Sequence, residues 1–385
     1  MRILYIIDKM HHFAGMERIL SCRLNYLSEH TDYELYISTY EQNGRELPFA
    51  LDESVHYVPI DAPIANRERL SFLKWLGRFY ASRRAFCRKF SDLVEKVNPD
   101  VIVGTVYSFP VVDVMLRVAC KLHKHFVLES HTKASTVLLS AKAFYNKWVC
   151  RICGWMDGYI LNSLVKADAV VSLTEADAAF WRNYSKRVLI IPNMVTVRPR
   201  GVESYQSKIV VSAGRFSYEK GYDRLIRAWS LLEASYSDWQ LFLVGNGDTD
   251  EYDSLIRSYG LSAVVHCLPA TEHIEEIYAK ASIYAMGSRY EGFGLVLTEA
   301  MSCGLPCVSF DCPYGPAEII SDGEDGFLVP DNHVEEFADT LCRLMADESL
   351  RERMGRKALV NVKRFDVDNV MKCWMNLYKS MYDAS

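Results

Sequence analysis

Two carboxylates eight positions apart, Glu291 and Glu299, bracket a Gly-Phe-Gly turn in the segment Ser288-Arg-Tyr-Glu-Gly-Phe-Gly-Leu-Val-Leu-Thr-Glu-Ala-Met-Ser-Cys-Gly-Leu-Pro-Cys-Val308. The pattern after the turn predicts a helix over Leu295–Cys303, with Glu291 just before it and Glu299 inside it. The amides of Gly292, Phe293, Gly294 and Leu295 then sit at a helix start, where unsatisfied N–H groups and the helix dipole both favour an anion. Carboxylates accept hydrogen bonds from hydroxyls. An anion cradle between two of them suits a ligand with hydroxyls at both ends and a diphosphate in the middle, which is the shape of a nucleotide-sugar.

A second segment, Val210-Val-Ser-Ala-Gly-Arg-Phe-Ser-Tyr-Glu-Lys-Gly-Tyr-Asp223, reads as a strand ending at Gly214, with Arg215 and Lys220 on the loop before the next helix. Ligands of open α/β sheets bind at the carboxyl ends of strands. Two cations there can neutralise a diphosphate, Arg through a bidentate fork and Lys as a point charge. Taken alone they read as solvated surface cations. Together with the carboxylate turn they acquire a ligand. A third strand ends in Gly245-Asn-Gly-Asp248, and Asp248-Thr-Asp250 after it could serve a divalent metal or cap the next helix. The capping role is expected, and no metal. His131 follows the strand Val127-Leu-Glu-Ser130, where one imidazole can bond a hydroxyl and stabilise developing positive charge. Gly15 lies in the loop after the first strand, and its missing Cβ permits close approach of a ligand to the backbone.

These segments together resemble glycosyltransferase family 4, whose members are retaining GT-B transferases; the motifs are strong over 209–330 and weaker before that. The resemblance implies that Glu291 holds the donor sugar and Glu299 the nucleotide ribose. It assigns Arg215 and Lys220 to the donor diphosphate, Asn246 to the neighbourhood of the base, and His131 to the active site near the sugar. It places Gly15 beside donor phosphate and acceptor, although Ala14 stands where the family often has a second glycine. Ile191-Pro-Asn193 resembles a domain-closing motif and is expected to be structural, and Glu318 is expected to cap a helix. UDP is the expected nucleotide, and surface polysaccharide or lipid-linked saccharide assembly the expected setting, from family frequency alone.

The elements that must position these groups follow from periodicity. Strands at Arg2–Asp8, Tyr33–Thr39, Val55–Ile60, Asp100–Gly104, His125–Glu129, Ala169–Ser172 and Val188–Ile191 alternate with helical patterns, and the alternation restarts at Ile209. Strand–helix alternation implies parallel sheets with right-handed crossovers. The expected architecture is therefore α/β, with two Rossmann-like doubly wound domains. The first spans 1–195 plus a terminal helix, 366–385, that crosses back to it; the second spans 196–365. By resemblance this is GT-B, with the donor held mainly by the second domain and the acceptor by the first.

Composition narrows the class. The chain has 385 residues, 50% apolar and 24% charged, with no apolar run long enough to span a bilayer. Its N-terminus reads as a strand, not a signal peptide, and the chain as cytoplasmic. Among 11 cysteines the one Cys-x-x-Cys, Cys150/Cys153, lacks the second pair that zinc would need. The net charge of −5 divides into +7 over 1–200 and −12 over the rest, which suggests that the first half faces something anionic. Residues 67–96 carry nine Lys/Arg against three acids, interleaved with Trp75, Phe79, Phe86 and Phe90. That segment reads either as a helix packed on the sheet or as one lying on the inner face of an anionic membrane. Nucleic acid is disfavoured by the acidic chain and the lack of a recognition module. The expected partners are a nucleoside-diphosphate sugar and a glycan or lipid-linked saccharide. A sugar-nucleotide epimerase, a non-catalytic nucleotide-sugar binder and a membrane scaffold remain as alternatives.

Overall fold

The computed structural model describes residues 1–11, 14–65, 72–105, 109–131, 138, 147–197, 200–232 and 236–383. Residues 67–71, the start of the basic segment, lie outside this set. The chain divides into two compact units, Met1–Pro192 with Met371–Ser385, and Asn193–Val370.

In the first unit the described elements are β1 (Arg2–Ile7), α1 (Gly15–His30), β2 (Glu34–Thr39), β3 (His56–Tyr57), α2 (Phe72–Val97), β4 (Val101–Thr105), α3 (Phe109–Lys121), β5 (His125–Ser130), α4 (Lys147–Ser163), β6 (Ala169–Ser172), α5 (Glu175–Trp181) and β7 (Val188–Ile190). They build a parallel sheet in the order β3-β2-β1-β4-β5-β6-β7. Strands such as Val101–Thr105 are apolar and buried throughout because helices cover both faces of a parallel sheet. Leu4, Ile6, Ile102, Phe126 and Leu128 of the sheet meet Phe86 and Phe90 of α2 and Val112 and Met115 of α3 in one core. β3 is shorter than the sequence suggests. Beyond Tyr57 the amides of Val58 and Ile60 still donate to the carbonyls of Ile37 and Thr39, and Pro59 between them takes the outward position of an edge strand, where no amide is needed.

The second unit contains β8 (Ile209–Ala213), α6 (Tyr222–Ser230), β9 (Gln240–Gly245), α7 (Asp250–Ser258), β10 (Val265–Pro269), α8 (Ile274–Lys280), β11 (Ile283–Met286), α9 (Leu295–Ser302), β12 (Cys307–Asp311), α10 (Pro316–Ile319), β13 (Gly326–Pro330), α11 (Val334–Ala346) and α12 (Glu348–Asn361). Its strand order is β10-β9-β8-β11-β12-β13. Helices α11 and α12 fall where the sequence pattern marked no element. Asp347 caps α12 by accepting from the Leu350 amide, and Phe337 and Leu341 of α11 enter the core with Val210, Leu243, Ile283 and Val308.

The chain ends in α13 (Val367–Tyr382), and from Met371 on this helix belongs to the first unit. There Tyr378 shares a hydrogen bond with Tyr5 of β1, and Trp374 stacks under the Arg23 guanidinium at 3.9 Å. Each sheet reverses its direction of growth once, between β1 and β4 and between β8 and β11. Loops leaving the two strands at such a switch point diverge and open a crevice at the carboxyl edge.

Candidate functional site

The two sequence motifs of the second unit flank one of those switch points. The loop after β8 carries Arg215 and Lys220, and the loop after β11 carries Glu291 to Gly294. They approach through glycine backbones. Gly221, at φ +60°, lies so close to Gly287 that a Cβ would stand 2.1 Å from the Gly287 carbonyl oxygen. A side chain there would force the loops apart, and the left-handed conformation would add to the cost.

The approach brings Lys220 Nζ to within 2.7 Å of Glu291 Oε1, a pair whose side chains are 19% and 10% exposed. Ser288 Oγ donates to the same carboxylate oxygen at 2.6 Å. Burial pushes the Tyr222 phenol well above its ordinary range, with the charge of Glu291 adding to it, and its hydroxyl donates to the Gly214 carbonyl at 2.9 Å. Arg215 is exposed on the same loop, where its charge acts on Glu219 and Tyr290.

Two arginines that the sequence patterns did not single out brace the loops. Arg224, 5% exposed, donates to the carbonyls of Gly287 and Ser288 and to Asp331 Oδ1 at 2.6 Å, with its plane over Phe310. Arg289 makes a bidentate pair with Asp223 at 2.8 and 2.6 Å, donates to the Tyr218 carbonyl and stacks on the Tyr218 ring. A signal for Arg224 was present. A cation in the first turn of a helix opposes the helix dipole, so it needs a tertiary partner.

Helix α9 starts as the motif predicts and ends one residue earlier, at Ser302. Gly294 is its N-cap at φ +101° and supplies no side-chain cap. The first-turn amides of α9 therefore have no N-cap side chain competing for them, an arrangement that suits an anion. The Phe293 ring turns inward against Phe365 at 5.4 Å, so any ligand contact at this position falls to its backbone. Glu299 is buried within α9, and Leu295 at its start is half-buried. Asn246 exposes its side chain while its carbonyl accepts from the Phe216 amide at 2.7 Å, tying the β9 loop to the Arg215 loop.

Asp248 Oδ1 accepts from the Asp250 amide at 3.0 Å, a turn that leads into α7. Among the described residues no cluster of three or more His, Cys, Asp or Glu side chains is placed to hold a metal ion. Glu318 lies in the first turn of α10, whose N-cap is Gly315.

In the first unit Gly15 is the exposed first residue of α1. His131 follows β5 and is 9% exposed, with Nε2 3.0 Å from Glu129 Oε1. Glu129 is fully buried and also receives both terminal nitrogens of Arg23, at 2.9 and 2.6 Å. Burial alone would raise the Glu129 carboxyl, but the Arg23 guanidinium and then His131 outweigh it and hold the group below the usual carboxylate range. Burial lifts the neighbouring Tyr5 phenol to about 12. An acid inside an apolar parallel strand is itself a signal of a buried partner, one that the His131 motif overshadowed. Asp8, directly after β1, is pushed up to about 6 by burial, against the amide and charge of Lys9.

The basic segment resolves into two faces. Trp75, Phe79, Phe86 and Phe90 are all 4% exposed or less, so these four aromatic side chains are buried, while Tyr80, Lys74, Arg78, Arg84 and Arg88 are exposed.

The chain is similar to known proteins in sequence and in fold. Residues 197–360 match the family model of glycosyl transferases group 1. The matched span holds Arg215, Lys220, Glu291 and Glu299. An uncharacterized glycosyltransferase of Haemophilus influenzae is 30% identical over 219 residues, 56% of this chain and 62% of that protein. An exopolysaccharide phosphotransferase of Streptomyces coelicolor is 36% identical over 56% of this chain, which spans only 23% of its length. The amylovoran biosynthesis glycosyltransferase AmsD of Erwinia amylovora is 26% identical and matches end to end, over 98% of this chain and 99% of that one. Among solved structures, sucrose-phosphate synthase from Thermosynechococcus elongatus superposes over the full length of both chains with a TM-score of 0.78 at 19% identity. Anabaena Alr3699/HepE in complex with UDP-glucose does so with a TM-score of 0.70 at 17% identity, covering 98% of this chain and 99% of that one. The fold is GT-B, and these relatives support a glycosyltransferase.

Proposed function

We propose that this protein is a retaining, family 4-like glycosyltransferase. It moves a hexosyl unit from a nucleoside-diphosphate sugar, UDP-linked, to a hydroxyl of a glycan or lipid-linked saccharide in surface polysaccharide assembly. The observation that carries this is the Lys220–Glu291 pair beside the uncapped start of α9. It sets a cation, a hydroxyl-binding carboxylate and a helix N-terminus together at a strand switch point. The Anabaena relative solved with UDP-glucose and the amylovoran transferase support the donor class and the setting.

In this proposal Lys220, Arg215 and the amides of residues 292–295 neutralise the departing diphosphate, so no metal is required. Glu291 binds sugar hydroxyls, Glu299 the ribose, and Asn246 lies toward the base. Gly15 admits phosphate and acceptor to its backbone. His131, held by Glu129, stabilises positive charge on the sugar ring. The acceptor oxygen bonds to the anomeric carbon on the face from which the diphosphate departs. A phosphate oxygen of the leaving group takes the acceptor's proton, and configuration is retained.

The test is a thermal-shift screen of UDP-, GDP- and ADP-sugars with and without EDTA, followed by NMR of the product's anomeric configuration. Stabilisation by a UDP-sugar in EDTA and a retained anomer are expected. Donor consumption without any acceptor would favour an epimerase. Tight donor binding without turnover would favour a binding protein, and an inverted anomer would overturn the mechanism.

A further inference from the structure

Buried polar contacts run in an unbroken series from α13 to His131, all within the first unit. Glu129 accepts from Arg23 Nη1 at 2.9 Å and Nη2 at 2.6 Å, and its Oε1 lies 3.0 Å from His131 Nε2. The same guanidinium meets α13, with its central carbon 3.9 Å from the centre of the Trp374 ring. Tyr5 hydrogen-bonds Arg23 and shares a hydroxyl–hydroxyl bond with Tyr378. Tyr5, Arg23, Glu129, Trp374 and Tyr378 are all 2% exposed or less.

Two orphaned donors show what the rings contribute. Arg23 Nε is buried and has no hydrogen-bond partner among the described residues, so the fork on Glu129 leaves the guanidinium incompletely held. The Trp374 face and the Tyr5 hydroxyl supply the remaining restraint. Trp374 Nε1 is also buried without a partner, a cost that leucine or phenylalanine would avoid. What indole adds at this place is the best ring face for a guanidinium. Packing of α13 does not require it, since Val370, Met371, Leu377 and Met381 are buried along the same helix. The effect reaches the imidazole. The Glu129 carboxyl, held below its usual range, is ionised and can only accept, so His131 Nε2 carries a hydrogen whether the ring is neutral or charged. Any proton that the ring gains or loses then passes through Nδ1.

We propose that Trp374 and Tyr378 of α13 are positioning residues for His131. By fixing Arg23 they fix the Glu129 carboxylate, which sets the orientation of the imidazole and leaves Nδ1 as the nitrogen it offers to a ligand. The inference rests on the role given to His131 above and adds that α13 governs it.

The test reads the imidazole N–H signals of the full chain, labelled with isotopic histidine, alongside turnover of a UDP-sugar. A His131 Nε2 proton sheltered from solvent exchange, identified by its loss in His131→Ala, is expected in the wild-type chain. Trp374→Leu should broaden or abolish that signal and lower kcat by at least about tenfold, because a displacement of about 1 Å near the reacting centre can cost about a hundredfold. UDP, assigned to groups of the second unit, should bind as before. Trp374→Phe keeps a ring face and should recover most of the signal and of kcat, and Tyr378→Phe, which removes one hydroxyl, should weaken both to a smaller extent. A purely structural role predicts only a lower unfolding temperature for Trp374→Leu, and a wild-type signal and kcat in that variant overturn the proposal. Should Trp374→Leu fail to fold, a wild-type signal and kcat in Tyr378→Phe overturn it. Wild-type kcat in His131→Ala would overturn the role of His131 and this proposal with it, whereas loss of kcat there with none in the α13 variants overturns this proposal alone.

Discussion

Replacing Lys220 by Ala tests both the geometry of the second unit and the proposed chemistry. Two consequences can be separated. Without donor, the substitution removes the cation 2.7 Å from Glu291 but leaves the Ser288 hydroxyl on the same oxygen at 2.6 Å. An exposed pair contributes about 0–1 kcal/mol, and breaking a fully buried one costs about 3–5 kcal/mol. At 19% and 10% side-chain exposure this pair falls between, so a loss of about 1–2 kcal/mol is expected, visible as a fall of a few degrees in unfolding temperature.

With donor, the variant lacks a charge-assisted bond to phosphate, worth about 1.5–3 kcal/mol, so donor should bind roughly 10- to 150-fold more weakly. At a donor concentration of about 100 Kd the wild-type protein gains about 2.7 kcal/mol, whereas after a 100-fold loss of affinity the gain is about 0.4 kcal/mol. The ligand-induced thermal shift therefore nearly disappears. If Lys220 also meets the charge that develops on the leaving diphosphate, kcat falls by about 100- to 1000-fold. Lys220→Arg, which keeps the charge, should recover much of the shift. The assay is differential scanning fluorimetry with UDP and UDP-sugars, alongside UDP release in the presence of acceptor. A Lys220→Ala variant with a wild-type ligand shift and wild-type kcat would refute the role given to this residue and would leave the pair with Glu291 as structure alone.

Other outcomes follow from the same contacts. Glu291→Gln frees Lys220 from its partner, so UDP should bind as well or better while transfer from a UDP-sugar falls by at least about tenfold; calorimetry with UDP and a coupled transfer assay distinguish the two. Glu129→Gln leaves the buried Arg23 without its counter-charge and should cost about 3–5 kcal/mol in urea unfolding. Because the folded-state carboxyl of Glu129 lies below the ordinary value of 4.5, the stability it confers is complete above that pH and is lost as pH falls further, so the wild-type chain should weaken in acid and the variant less so. Asp8 has the opposite sign. Its carboxyl is raised from 3.8 to about 6, so its ionisation destabilises the fold as pH rises through that window, and Asp8→Asn should stabilise the chain against urea by up to about 3 kcal/mol at pH above 6 but not near pH 4. Gly221→Ala forces a Cβ to 2.1 Å from the Gly287 carbonyl at φ +60°, and an unfolding midpoint lowered by about 2 kcal/mol or more is expected.

Much of the fold was legible because it rests on local periodicity. Apolar strands such as Ile209–Ala213 and Ile283–Met286, each followed by a helical pattern, allow little other than parallel pairing. Elements were lost where local signals were weak. α11 and α12 follow a turn without a strong apolar start, and β3 lies at the sheet edge, where regular pairing ends at Tyr57. The aromatic residues of α2 and α4 show the limit most plainly. Both helices mix aromatic and basic residues, and only packing decides that Phe86 and Phe90 are covered while Trp148 and Trp155 are not.

The residue types and spacing of 210–223 and 288–308 determined by themselves that cations, carboxylates and a helix start lie on loops at strand ends, since strand and helix periods fix where loops fall. They did not determine which groups touch. The glycine contact between residues 221 and 287 puts Lys220 on Glu291, Arg224 and Arg289 clamp the loops, and a strand interior joins Glu129 to Arg23 of α1 and to His131. These contacts join positions that are from two to more than a hundred residues apart along the chain. Sequence spacing does not encode such distances; the order of strands in each sheet does.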